Sequence, residues 1–298
     1  MIDLHTHTNY SDGTWNLRKL LEEAEKTNIE VLSITDHNTI NCYKELEKIN
    51  IKDICSHDVY GTRIYAYYLT YGIQFDFFKA WIQQTDSGKT TAAICLIDGS
   101  MTLTCSDDAD FDELAAFINM MGFNSLQCDR NAAKKIGANE ALWGYVVRYK
   151  HSEKPKKDFG NAVFGFDGDL SKIYSLIKEA DLIGVGDYLP WLSDISYRIK
   201  RNTAKPFCAY DEERLMSCAS ALFITDSAAL LGAVATDPDY RSKGLAGELV
   251  TTLGEEMSSL GKRAELLCKH DSIVEFYHSI GFETVGEWAI IERKGRIN

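Results

Sequence analysis

The stretch Ala235-Thr236-Asp237-Pro238-Asp239-Tyr240-Arg241-Ser242-Lys243-Gly244-Leu245-Ala246-Gly247-Glu248-Leu249-Val250 carries an apolar run into the start of a helix. The run, 230–235, has the length and side chains of a buried strand, and Asp237-Pro238 ends it in a turn. Beyond the turn, Leu245, Leu249, Leu253 and Met257 recur every four residues, which predicts a helix over 245–260 with one apolar face. The first turn of a helix leaves backbone N–H groups without partners, and the helix dipole adds partial positive charge there. Gly244 and Ala246 remove bulk in front of those amides, so an anion can come close. Strand, basic loop and helix start, in that order, describe a pyrophosphate cradle and imply a nucleotide-like cofactor.

The hexapeptide Arg241-Ser242-Lys243-Gly244-Leu245-Ala246 resembles motif A of the GNAT acetyltransferases: Arg or Gln, two residues, Gly, one residue, Gly or Ala. A second element downstream, Glu275-Phe276-Tyr277-His278-Ser279-Ile280-Gly281-Phe282, is similar to that family's helix-to-strand junction. The resemblance implies acetyl-CoA as cosubstrate and transfer of its acetyl group to an amine. It puts the pyrophosphate on Arg241, Ser242, Lys243, Gly244, Leu245 and Ala246, and the pantetheine arm along Val234, Ala235 and Thr236. It also makes Tyr277 the general acid for the departing thiolate, since a tyrosine stands at that family position. A tyrosine packed at a helix end is the plainer reading of the same residue. Members often have an asparagine seven residues before the tyrosine; here it is His270. No general base is named by the sequence: Asp226 and Glu248 are carboxylates without positional support.

Earlier in the chain, Asp3-Leu4-His5-Thr6-His7-Thr8-Asn9-Tyr10-Ser11-Asp12-Gly13-Thr14 follows a short strand, and Thr35-Asp36-His37-Asn38-Thr39 follows the apolar run 29–34. Two histidines one residue apart on a strand point the same way and can share a metal. Leu17, Leu20, Leu21 and Ala24 line one helical face between the two strands, so residues 1–42 read as a βαβ segment running into another helix. The two histidine-bearing motifs resemble the first two motifs of the PHP phosphoesterases, which are metal-dependent (β/α) barrels. Such a barrel needs later histidines and carboxylates, and after His37 this chain has only His57 before His151. The segment is therefore read as a non-catalytic fragment, with His5, His7, Asp12 and His37 as vestigial metal candidates.

From Tyr43 to Trp81 the chain is dense in aromatic residues with few basic ones, which reads as core; stacking platforms for nucleic acid would need an interleaved basic groove. Strands are then predicted over 79–86, 90–97 and 101–105, a helix over 111–121 with Asp110 as N-cap and Gly122 as stop, and a closing strand over 125–128. The same order recurs as strands 205–210, 215–224 and 230–235, helix 245–260 and a final strand 264–268. We read this as a repeat: two GNAT-like folds in tandem, α/β in class (mixed α+β), after the short βαβ segment. The domains expected are 1–42, a degenerate copy over 43–150, a charged linker at 150–158, and a catalytic copy over 159–298. Where the second copy has its basic cradle, the first has Ser106-Asp107-Asp108-Ala109-Asp110, which would repel a pyrophosphate.

Composition narrows the rest. With 45% hydrophobic and 26% charged residues the chain has the makings of a packed core. A formal net charge of −12 argues against nucleic acid as a partner. No apolar run approaches the ~20 residues that span a bilayer, and the N-terminus lacks a signal-peptide pattern, so no membrane partner and a cytoplasmic setting are expected. Eight cysteines without regular spacing read as reduced, several of them as small buried hydrophobes. The leading reading is an acetyl-CoA-dependent N-acetyltransferase acting on a small-molecule or peptide amine. The alternatives are a metal-dependent PHP-type phosphoesterase and a non-catalytic acetyl-CoA sensor.

Overall fold

The computed structural model describes residues 2–9, 11, 13–27, 29, 31–34, 51–72, 75–138, 140–151, 158–166, 168–182 and 185–292. The chain divides into two compact units, Met1–Asp53 and Ile54–Asn298.

In the first unit, β1 (Ile2–Thr6) and β2 (Val31–Ile34) pair in parallel, with Ile2 opposite Val31 and Thr6 opposite Ile34. Between them runs α1 (Leu17–Lys26), whose first turn is capped by Asn16 accepting from the Lys19 N–H at 2.9 Å. Leu17 and Leu20 bury the predicted apolar face against Ile34. The helix expected to begin before residue 42 lies outside the described residues.

The second unit is built on one eleven-stranded mixed sheet. Its strands in chain order are β3 (Phe78–Gln84), β4 (Thr90–Ile97), β5 (Ser100–Cys105), β6 (Ser125–Asp129), β7 (Leu142–Tyr149), β8 (Val163–Gly165), β9 (Lys205–Asp211), β10 (Arg214–Ile224), β11 (Ala228–Thr236), β12 (Arg263–Cys268) and β13 (Phe282–Glu292). Across the sheet they stand in the order β3-β4-β5-β6-β13-β7-β12-β11-β10-β9-β8. The helices are α2 (Val59–Tyr71), α3 (Phe111–Met121), α4 (Arg130–Lys135), α5 (Leu170–Glu179), α6 (Tyr188–Lys200), α7 (Leu245–Ser259) and α8 (Asp271–Ser279). In each half an antiparallel trio leads through a helix to a parallel fourth strand: β3-β4-β5-α3-β6, and β9-β10-β11-α7-β12.

Two sequence expectations are corrected by this topology. Residues 125–128 do not close the first copy, and 264–268 is not the last strand. β13 inserts between β6 and β7, antiparallel to both, while β7 lies between β13 and β12. Each half thus takes a central strand that belongs in sequence to the other. The reason the sequence did not expose this is physical: a strand's periodicity tells which of its faces is buried, but its hydrogen-bonding partner can lie anywhere along the chain.

Side chains alternate between two cores. Phe207, Ala209, Met216 and Ala219 face α7, where Leu245, Leu249, Leu253 and Met257, the four predicted apolar positions, are all buried. Cys208, Leu215 and Cys218 face the other way, onto Ile173, Leu176 and Ile177 of α5. α7 approaches the sheet closely at Gly254, where an added Cβ would sit 2.6 Å from the Tyr149 ring. The aromatic segment read as core forms α2, with Tyr60, Tyr65, Tyr67, Tyr68 and Tyr71 each under a tenth exposed. α2 packs on β5 and also on β10 and β11, tying the halves together. Its Tyr67 ring meets Phe223 edge-on at 4.9 Å, and its Tyr71 stacks on Tyr197 at 5.6 Å.

Candidate functional site

β11 is regular only in its first half. Ala228 to Leu231 pair in parallel with Arg263 to Leu266, and the pairing stops there although β12 runs on to Cys268 and β11 to Thr236. On its other side β11 bulges: Cys218 faces Ala235 and Ser220 faces Gly232, so β11 holds one residue more than β10 between those pairs. Ala233 takes the bulge with φ +51, in the left-handed region that an alanine rarely enters. The bulge turns Gly232–Thr236 away from β12 and opens a wedge between two strands that start as neighbours. The Ser217 hydroxyl holds the far end of β11, donating to the Ala235 carbonyl at 2.9 Å and lying 2.8 Å from the Thr236 hydroxyl.

Thr236 leads into the cradle. The Asp237 side chain accepts from the Asp239 N–H at 3.0 Å and is gripped at both oxygens by Arg214, which also reaches Asp239 at 2.6 Å. A short 3₁₀ turn (Pro238–Tyr240) follows, then Arg241, Ser242 with φ +62, Lys243 and Gly244 with φ +92. The Arg241 Nε donates to the Thr236 carbonyl at 3.1 Å, and the Lys243 ammonium lies over the Tyr240 ring at 4.6 Å. Gly244 is the N-cap of α7. Its carbonyl accepts from Glu248 at 3.1 Å, but a glycine has no side chain to turn back onto the first-turn amides of Leu245, Ala246 and Gly247. Beside this helix end a cavity of about 420 Å³ is bordered by Tyr240, Lys243, Leu245, Met216 and Asp211.

Tyr277 sits on α8, directly after β12. Its ring packs against Phe276 at 5.2 Å and Phe282 at 5.4 Å, and the residue is 5% exposed. Burial pushes its phenol well above the ordinary value near 10, and Cys268, the last residue of β12, adds to the rise. Tyr277 is therefore held protonated. His270 is the exposed N-cap of α8 and makes no side-chain capping bond.

The first unit is less complete. His7 is partly buried, with Nδ1 3.3 Å from the Ser11 hydroxyl. His5 lies on β1, while Asp12 and His37 fall outside the described residues. No three His, Cys, Asp or Glu side chains gather into a metal-holding group among the described residues. Nor is any helix among them long and apolar enough to cross a membrane. Cys55, Cys95, Cys105, Cys128, Cys208, Cys218 and Cys268 are free thiols.

Two families match the chain. The acetyltransferase (GNAT) domain family matches residues 202–284, the span from β9 to the start of β13. The PHP domain family matches residues 3–179, more than half of the chain. The chain belongs to the PHP family and carries a GNAT acetyltransferase domain. The PHP match reaches beyond the 1–42 segment in which its motifs are visible. From residue 78 onward the matched span overlaps β3 to β8, which are members of the long open sheet.

Solved structures place that sheet in the tandem GNAT fold. A tandem GNAT protein from the clavulanic acid biosynthesis pathway aligns over 84% of this chain and 94% of its own, with 10% identity and a TM-score of 0.54. A GCN5-related N-acetyltransferase from Sphaerobacter thermophilus aligns over 82% and 90%, with 11% identity and a TM-score of 0.54. A GNAT-family acetyltransferase from Colwellia psychrerythraea aligns over 85% and 96%, with 13% identity and a TM-score of 0.52. At these identities the likeness is one of fold. No curated protein matches the chain.

The GNAT domain's basic loop and glycine were visible in the sequence; the bulge at Ala233 behind them was not. Ala233 stands inside an ordinary apolar run, with nothing near it to signal a left-handed residue. Ser217 looks like any polar residue on a strand.

Proposed function

We propose that the chain is an acetyl-CoA-dependent N-acetyltransferase whose working half is residues 159–298, with 43–150 as a non-catalytic copy. The observation that carries the reading is the wedge between β11 and β12 opening beside an α7 whose N-cap is a bare, left-handed Gly244. Both features fit acetyl-CoA. A side chain at φ +92 would be strained and would project into the approach to the first-turn amides. The backbone of Gly232–Thr236, freed from β12, offers a row of groups for the amides of an extended arm.

Acetyl-CoA would supply the activated acetyl thioester. The amides of Ser242 to Ala246 would hold its pyrophosphate, with Arg241 and Lys243 adding charge. Backbone groups of Val234, Ala235 and Thr236 would align the arm, and an N–H of that strand would polarise the thioester carbonyl, a role for which one lost donor costs roughly 3–4 kcal/mol. Tyr277 would keep a proton on Oη, ready for the leaving sulfur. The acceptor is an amine, from a small molecule or a peptide; the fold leaves its identity open.

Isothermal titration with acetyl-CoA should show one saturable site, and amine-dependent release of free thiol should follow; no binding at millimolar cofactor sinks the reading. Binding without thiol release across a broad amine panel would make the protein a sensor. A second reading, phosphoester hydrolysis by the N-terminal unit, is favoured by the PHP match. It predicts metal-dependent phosphate release that is lost on replacing His5 and His7. We expect no such release, and acetyl transfer indifferent to a chelator.

A further inference from the structure

The two halves also differ at their margins. β5 and β6 pair in parallel from Ser100↔Ser125 to Thr102↔Gln127 and then part. Asp58, the α2 N-cap, fills that opening, accepting from the Gly61 N–H at 2.7 Å and from the Thr104 hydroxyl of β5 at 2.8 Å. The first half is closed at its wedge and bare at its outer edge. In the second half β8 lies along β9, with Phe164 opposite Ala209. It brings Phe164 and Phe166 to 6.3 and 4.5 Å from the Phe207 ring. β3 holds the place of β9 in the first half, and among the described residues it pairs with β4 alone.

The neighbouring ladder fixes which groups of β3 face outward. Along an antiparallel ladder each residue turns both backbone groups to one side, and successive residues alternate. The Ser106 N–H donates to the Thr91 carbonyl at 2.8 Å, so Thr91, Ala93 and Cys95 turn to β5. Ala92, Ile94 and Leu96 then turn to β3, where they meet Gln83, Trp81 and Lys79. The N–H and C=O groups of Ala80 and Ile82 are left pointing away from the sheet.

Apolar side chains flank this edge on both faces. On one, the half-buried Trp81 ring lies 5.3 Å from Phe117 of α3, and Met120, one turn further along α3, is 73% exposed. On the other, Ile82 is exposed. Edge strands are ordinarily blunted by charges, proline or a bulge. β3 has a single charge, Lys79, and no proline, and its register shifts only after Gln83.

We propose that β3 is a self-association edge, along which two copies of the chain pair antiparallel about a twofold axis at Trp81 and join their sheets. This register sets Ala80 of each copy opposite Ile82 of the other, so the outward N–H and C=O groups of both residues are satisfied. It brings the two Trp81 rings together at the axis, as a cross-strand aromatic pair. The charges select a second copy as the occupant. Lys79 falls opposite Gln83 of the other copy, whose side chain donates to the Glu113 carboxylate at 2.5 Å. Each ammonium therefore meets an acid across the seam, twice by symmetry. A strand carrying charges of one sign would be repelled by Lys79 or by Glu113, whereas the chain itself holds both in complementary places.

Sedimentation velocity of the full chain over micromolar concentrations tests this, and a monomer–dimer equilibrium is the expected result. Ile82→Pro removes an outward N–H that takes no part in the β4 ladder, and should weaken the dimer roughly 100-fold. Lys79→Glu sets acid against acid and should weaken it roughly 10-fold; adding Glu113→Lys to that variant should restore the original affinity. Circular dichroism checks that each variant keeps its fold. If Ile82→Pro does not fold, the charge exchange decides alone. A monomer at every concentration, a dimer indifferent to the single substitutions, or a double variant no tighter than Lys79→Glu would overturn the proposal.

Discussion

α3 and α7 begin at corresponding points of two copies of one topology, and they treat their first turns in opposite ways. α3 starts after Ser106-Asp107-Asp108-Ala109, and Asp110 turns its carboxylate onto the Glu113 amide. α7 starts from a left-handed glycine with no side chain at all. The wedges behind them differ in the same sense: one is plugged by Asp58 on Thr104, the other is left open by a bulge at Ala233. The helices that follow the two wedges continue the contrast. α4 is six residues long and carries no tyrosine, whereas α8 has nine and buries Tyr277. The same strand order therefore yields one half whose helix start is capped by its own side chain and one half whose helix start is left bare.

The comparison breaks most readily at Gly244. Gly244→Glu adds left-handed strain of about 1–2 kcal/mol and a carboxylate in front of the amides, and should weaken acetyl-CoA binding at least about 100-fold by titration calorimetry, with the fold retained. Retained affinity would show that the open helix start is not what separates the halves. Next comes Tyr277→Phe, which should lower kcat about 100-fold, the usual contribution of a general acid, while leaving acetyl-CoA affinity nearly unchanged. An unaltered rate would remove Tyr277 from the chemistry and leave it a packing residue.

Smaller effects sharpen the first half. Asp110→Ala should cost roughly 0.5–2 kcal/mol in urea unfolding, as for other lost N-caps, and leave acetyl-CoA affinity untouched. A gain of a second acetyl-CoA site would mean that the cap alone kept the cofactor out. The smallest effect concerns pH. Because burial raises the Asp58 carboxyl from an ordinary 3.8 to about 6, the folded state holds that proton more tightly than the unfolded chain does. Its contribution to stability is full below the unfolded value and is lost as pH rises from about 4 to about 6. Asp58→Asn should flatten that part of the stability–pH curve, measured as urea midpoints; an unchanged slope would mean that Asp58 is as well solvated as a surface carboxylate.

Much of the fold could be read residue by residue. The four-residue spacing of Leu245, Leu249, Leu253 and Met257 marked the buried face of α7, and Asp110 and Gly122 marked both ends of α3. These signals are local: a cap, a turn or an amphipathic face is decided within a few residues by backbone sterics and by which side meets water. The exchange of β7 and β13 left no such trace. Strand 142–149 was not anticipated and 282–292 was implied only at its start, by the helix-to-strand junction; the partners of both stayed hidden, because they lie over a hundred residues away and many registers satisfy the same alternation. The aromatic richness of 60–71 announced burial but not that a helix would carry those rings across both halves of the sheet.

Spacing and residue type were enough to read the repeat, the basic loop and glycine that open α7, and the acids that stand at the matching point of the first copy, since each depends on chemistry carried by neighbours in the chain. Tertiary structure alone decided that β11 leaves β12 after Leu231 and that Asp58 fills the matching gap in the other half. Each of those outcomes turns on how groups distant in sequence share the same space, and on whether a buried polar atom finds a partner there.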